Sequence, residues 1–149
     1  MRKLWWLAMA CAACASTREN EGTHIADVRF IDANGQPAGD AAVYQVSEGI
    51  LISARLPGLP GREHGFHIHT VGDCRPPAFE SAGGHFNPTG KQHGRLNPAG
   101  PHVGDMPNAE RSTVIFTVRD VQLTGPQGLF DTDGSALVIH AQPDDLKTD

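Results

Sequence analysis

The sequence predicts an all-β domain, a Greek-key sandwich or barrel of about seven short strands. Seventeen glycines and 11 prolines in 149 residues, against 6% aromatics, supply many turns and little material for long helices. Short apolar runs recur along the chain, several with the two-residue alternation of a half-buried strand. The breaks between them carry turn chemistry, such as Asn34-Gly35-Gln36-Pro37 and Pro57-Gly58-Leu59-Pro60-Gly61. The length suits one domain. A hydrophobic content of 39% with 19% charged residues excludes a disordered tail and a polytopic membrane protein. A formal charge of −5 excludes a broad nucleic-acid footprint.

Residues 1–15 read as a leader rather than as fold. Met1-Arg2-Lys3 is basic, Leu4 to Ala10 is apolar, and Cys11-Ala12-Ala13-Cys14-Ala15 is small, the order of a secretory signal. The apolar run is shorter than the roughly 20 residues that cross a bilayer. Ala13-Cys14-Ala15 fits a small-x-small cleavage pattern and gives a mature start at Ser16. A lipoprotein-type signal, with Cys14 or Cys11 as a lipid anchor to the membrane, is the alternative, although neither has a leucine three residues upstream. A buried N-terminal helix is the bland reading. Removal of residues 1–15 takes away Arg2 and Lys3 and moves the charge from −5 to −7. Cys74 then stands alone in the domain of residues 16–149, although export leads to an oxidising compartment where cysteines usually pair.

Residues 16–22 are a polar lead-in. Residues 24–32 place Ile25, Val28, Phe30 and Ile31 among polar partners, a half-buried strand. Residues 41–46 and 50–56 are two more runs around Ser47-Glu48-Gly49. Residues 65–70 alternate small or apolar residues with histidine. Residues 112–123 put Val114, Phe116 and Val118 on one face and Thr113, Ile115 and Thr117 on the other. Residues 136–141 are a last apolar run. Between 71 and 109 there is no periodicity. An irregular stretch of that length in a compact domain is usually functional.

That stretch holds three of the eight histidines. His67-Ile68-His69 sets two imidazoles at i and i+2, on one face of a strand, half a site for copper or zinc. His85, His93, His102 and Asp105 supply three nitrogens and one oxygen, a set that suits tetrahedral zinc. Glycines 83, 84, 90, 94, 100 and 104 surround them and let the loop fold tightly. His140 lies on the last apolar run, as a core histidine or a further ligand.

These residues resemble a known family. Gly65-Phe66-His67-Ile68-His69-Thr70-Val71-Gly72-Asp73-Cys74 is similar to the copper-site signature of the copper/zinc superoxide dismutases. His85-Phe86-Asn87-Pro88, His93-Gly94 and His102-Val103-Gly104-Asp105, at steps of 8, 9 and 3, resemble that family's zinc loop. Leu137-Val138-Ile139-His140 and Asp144-Asp145-Leu146 resemble its last copper ligand and the start of its electrostatic loop. The resemblance runs from about His24 to Asp149. It implies an immunoglobulin-like Greek-key barrel with a long metal-binding loop.

The resemblance also implies the site. Copper takes His67, His69, His85 and His140, the catalytic set. Zinc takes His85, shared as a bridging imidazolate, with His93, His102 and Asp105. Asp144 hydrogen-bonds His67 and His93 from outside the ligand sphere. His64 is a structural histidine and His24 a surface one. The implied reaction turns superoxide into oxygen and hydrogen peroxide as copper alternates between its two oxidation states. The bridge at His85 opens and takes a proton. An acidic protein repels superoxide on average, so a local positive funnel is expected, with Lys147 a candidate contributor.

The chain departs from the pattern at its end. The resemblance implies an arginine beside copper, a cysteine partner for Cys74 and a last strand. None follows Asp149, so the expectation is either an incomplete piece of an ordinary enzyme or a natural truncation, the latter a barrel without its last strand, with Cys74 unpaired and two open edges. Arg75, Arg95 and Arg119 lie in other segments. Two functions follow: an exported, periplasmic dismutase, soluble or lipid-anchored, monomer or homodimer; or a related copper- and zinc-binding protein with little turnover. A third reading, a purely structural sandwich, has no use for seven metal ligands.

Overall fold

The computed structural model describes residues 22–59 and 61–147. The leader and Cys14 lie outside the described residues. Six strands are present among them: β1 (Thr23–Ile31), β2 (Pro37–Val46), β3 (Gly49–Arg55), β4 (Phe66–His69), β5 (Thr113–Arg119) and β6 (Ala136–Ile139). One short 3-10 turn, Glu80–Ala82, interrupts the long loop. No helix among the described residues is long and apolar enough to cross a membrane.

Strands β1, β2, β3 and β5 form one antiparallel sheet in that order, and β4 pairs with β6 in a second. The chain therefore leaves the first sheet after β3, returns for β5 and leaves again for β6, the crossing pattern of a Greek key. Alternation sends Phe30, Val43, Ile50, Ile52 and Val118 inward from the large sheet. Phe66 and Ile68 meet them from β4, and the rings of Phe30 and Phe66 lie 6.3 Å apart. On β5, Val114, Phe116 and Val118 turn toward the core, and Ile115 is 65% exposed.

Two boundaries differ from the sequence pattern. Strand β2 starts at Pro37 rather than at 41, because residues 37–40 complete the ladder against β1. Strand β5 ends at Arg119 rather than at 123, because Asp120 takes a φ of 55° and breaks the ladder. Val121 and Leu123 still pack against the core, from the loop that follows.

Strand β4 is where the fold meets the histidine loop. Its second edge is paired by the loop rather than by a strand. Ile68 donates to the Gly104 carbonyl, Phe86 to Ile68, Thr70 to Gly84, and Gly104 to Phe86, all at 2.8–2.9 Å. Gly104 is needed for this approach: a Cβ there stands 2.5 Å from the Ile68 oxygen. Gly104→Ala is expected to destabilise the metal-free protein by about 1–3 kcal/mol, as overpacked sites do. The measurement is the urea midpoint; an unchanged midpoint contradicts this account of the junction.

The outer edges of β1 and β6 carry no strand among the described residues. A groove of about 630 Å³ lies between them, lined in part by Phe30, Leu56, Leu137 and Cys74.

Candidate metal centre

Strand β4 aims Phe66 and Ile68 into the core, so His67 and His69 point the other way, beneath the loop. Strand β6 brings in His140, whose N–H donates to Gly65 at 2.8 Å. The loop closes over them with His85, His93, His102 and Asp105. All seven converge, as the sequence predicts.

The first group is centred on Asp105. Its Oδ2 accepts the N–H of Gly94 at 2.8 Å and of His102 at 3.0 Å. Its Oδ1 faces three ring nitrogens: Nδ1 of His85 at 3.2 Å, of His93 at 3.1 Å and of His102 at 3.4 Å. Nδ1 of His85 and of His93 lie 3.2 Å apart. A tetrahedron with such edges has its corners about 2.0 Å from its centre, the bond length of zinc to nitrogen and oxygen. His67 falls within the same 4.8 Å span as His85, His93 and Asp105. Its Nε2 is committed to Asp144, so His102 is the better fourth corner. Burial raises the Asp105 carboxyl, but the His85 hydrogen bond, the Gly94 amide and the charges of His93 and His102 outweigh it. The carboxyl is held well below the usual carboxylate range.

The second group is all imidazole. His67, His69, His85 and His140 each offer a nitrogen within 4.8 Å of the others. His69 donates from Nδ1 to the Gly83 carbonyl at 2.8 Å, which leaves Nε2 as its lone-pair atom. That Nε2 lies 3.4 Å from Nε2 of His140. His67 donates from Nε2 to Asp144 Oδ2 at 2.6 Å. Its Nδ1 is buried and has no hydrogen-bond partner in the protein. Such an atom costs on the order of 1–3 kcal/mol unless something else occupies its lone pair. A metal ion does so, and imidazole suits copper. His85 belongs to both groups: with Nδ1 at Asp105, its Nε2 is left for the second. The His67 and His85 rings are 4.0 Å apart.

Asp144 joins the two groups from outside. Its Oδ1 accepts His93 Nε2–H at 3.0 Å and the Leu146 N–H, and its Oδ2 accepts His67. This fixes both ring orientations and both tautomers. Burial raises its carboxyl, but the bonds from His93, Leu146 and His67 leave it lowered. The sequence pattern names Asp144 but not Asn108, which clasps the Asp144 backbone. Nothing in local sequence marks a side-chain amide bonded to a main chain 36 residues away.

His64 donates from Nδ1 to the His140 carbonyl at 2.8 Å, a structural role as expected. His24 is exposed and bonds Asp27. Cys74 is free and exposed. Arg75 pairs with Asp73 and Arg119 with Glu48, and Arg95 lies over the Phe116 ring while reaching the Asp105 carbonyl.

The family model of copper/zinc superoxide dismutase matches residues 37–149. The chain belongs to the copper/zinc superoxide dismutase family. Superoxide dismutase (Cu-Zn) 2 of Aquifex aeolicus is 46% identical over 132 residues, which cover 83% of this chain and 77% of that protein. Superoxide dismutase (Cu-Zn) 1 of the same organism is 41% identical over 157 residues, with 100% and 91% covered. A crystal structure of a double mutant of a superoxide dismutase-like protein from Bacillus subtilis aligns with a TM-score of 0.81 at 40% identity, covering 85% of this chain and 89% of that one. Membership makes the chain an oxidoreductase of the copper/zinc superoxide dismutase family, with copper and zinc as its metals.

Burial pushes the His67 imidazolium down to about 4, aided by the charge of His85 and opposed by the bond to Asp144. His69 and His140 are lowered too, mainly by burial. His93 goes the other way: burial is outweighed by Asp144 and Asp105, and it is raised. Three histidines thus bind fewer protons folded than unfolded below about pH 6.5, and one binds more. The metal-free superoxide dismutase domain is expected to lose stability as pH falls from about 6.5 toward 4. Urea midpoints at pH 7 and pH 5 measure this; a higher midpoint at pH 5 contradicts it.

Proposed function

We propose that the protein disproportionates superoxide to oxygen and hydrogen peroxide, with His67, His69, His85 and His140 holding copper and His85, His93, His102 and Asp105 holding zinc. The observation that supports this most directly is the shared ring of His85, which belongs to both groups and sets its Nδ1 at Asp105. Copper held by these four histidines would supply the one-electron couple that the two half-reactions need. The protein's part is positional. His69 and His67 are locked in their tautomers by Gly83 and Asp144. The Asp105 group fixes the zinc-side nitrogen of His85, so the ring's Nε2 is the atom that takes up a proton and returns it to product. Two superoxide anions and two protons give one oxygen and one hydrogen peroxide.

A second reading is a metal-binding relative with little turnover. It is favoured by Arg75, Arg95 and Arg119, which are engaged with Asp73, with Phe116 and the Asp105 carbonyl, and with Glu48 respectively. The test is superoxide decay by protein carrying one copper and one zinc. Rates near the diffusional ceiling support the dismutase. Inactivity at full loading supports the second reading.

The same proposal places the protein in the periplasm, after export directed by residues 1–15, with Cys14 as the lipid-bearing alternative. Native intact mass of the exported material reads the processed end, lipid mass, subunit number and the state of Cys74 together. Protein retaining residues 1–15 overturns the export reading.

A further inference from the structure

One carboxylate orients two rings only if its own main chain is held. Asp144 lies beyond the last described strand, which ends at Ile139, so no sheet ladder holds it. Asn108 supplies the missing pair of bonds. Its Oδ1 accepts the Asp144 N–H at 2.9 Å, and its Nδ2 donates to the Asp144 carbonyl at 2.9 Å. A single side-chain amide thus reproduces the two main-chain bonds that one strand residue exchanges with its neighbour. Nδ2 also reaches Glu63 Oε2 at 3.3 Å. Only the nitrogen end can serve two oxygens, and only the oxygen end can serve the N–H, so the amide has one orientation.

The support beneath Asn108 is firm. Its neighbour Ala109 is buried and exchanges both main-chain bonds with His64, at 2.8 and 3.1 Å. His64 in turn holds the His140 carbonyl. The main chain that carries Asn108 is therefore tied to the entry of β4 and to the end of β6, the elements that present His67, His69 and His140.

We propose that Asn108 is a positioning residue that holds Asp144 in place, and through it sets the rings of His67 and His93 in both metal groups. This rests on the copper and zinc reading given above. The competing role is an ordinary loop staple, which stabilises the fold without passing through the Asp144 carboxylate.

The experiment uses wild type, Asn108→Ala, Asp144→Ala and the double variant, each confirmed folded by circular dichroism. Zinc affinity is read by competition with a chromophoric chelator, and the copper environment by electron paramagnetic resonance of the copper(II) form. Asn108→Ala is expected to weaken zinc by about 10-fold, the lower end for partners of metal ligands. It is also expected to alter the copper(II) signal, since Asp144 touches a ring on each side. On the Asp144→Ala background it is expected to have no further effect, because the path is already cut. Additive zinc losses, or a wild-type copper signal in the single variant, overturn the proposal in favour of the staple. Should Asn108→Ala not fold, Asn108→Asp replaces it. That variant keeps the acceptor for the Asp144 N–H and turns the donor into an acceptor facing the Asp144 carbonyl. A zinc loss at least as large is expected there, and wild-type zinc affinity overturns the proposal. A wild-type protein that takes up neither metal overturns the metal reading itself; normal wild-type uptake with unaltered variants overturns this inference alone.

Discussion

The His140→Ala protein is expected to lose superoxide dismutation by more than about 100-fold and to keep its zinc. Removing a partner of a ligand costs roughly 10–100-fold, so removing a ligand itself costs more. His140 reaches the site only through the imidazole group, where its Nε2 lies 3.4 Å from that of His69. The Asp105 group contains no atom of it. The fold survives the change, because His140 is tied by its main chain: its N–H to Gly65 and its carbonyl to His64. Alanine keeps both bonds. Stopped-flow superoxide decay and zinc stoichiometry on the same sample decide the matter. Full activity in this variant removes His140 from the copper set, and joint loss of zinc shows that the two groups are not separable.

Asp105→Ala is expected to reverse the pattern. Zinc affinity falls by more than about 100-fold on the same reasoning, while His67, His69 and His140, carried by β4 and the end of β6, stay in place. The loss is larger than for a peripheral ligand, because Asp105 also organises the loop. Its Oδ2 satisfies the buried N–H of Gly94 and that of His102. Each such group left without a partner costs on the order of 1–3 kcal/mol. Zinc content after dialysis against a chelator is the measurement. Zinc retained at wild-type occupancy excludes Asp105 as a ligand.

The large sheet was readable from the sequence because its strands bury one face. Alternation in residues 24–32, 41–46, 50–56 and 112–118 follows from that burial. The ends were not readable. Pro37, Ala38 and Gly39 have no strand preference of their own and are extended by their partners on β1. Val121 and Leu123 continue the alternation after the backbone has turned away at Asp120. Pattern reports which residues seek the core, not the route they take to it.

The site divides in the same way. Histidine and aspartate at fixed spacing advertise metal chemistry, so the seven ligand candidates stood out, and the family resemblance apportioned His85 between the metals. Asn108 carries no such advertisement. Its bonds go to main-chain atoms, which every residue has, and only folding brings residue 144 to them.

The seven candidate ligands also differ in how much chain separates them. The zinc-side set lies within residues 85–105, so a short loop closure assembles it. The copper-side set joins His69 to His140, 71 residues apart, and the Asp144 contact to His67 spans 77. Closing longer loops costs more entropy and comes later. A chain emerging from its N-terminus can therefore enclose zinc well before His140 exists to complete the other pocket. Zinc acquisition can begin during synthesis, whereas complete copper coordination has to wait for the finished, folded domain.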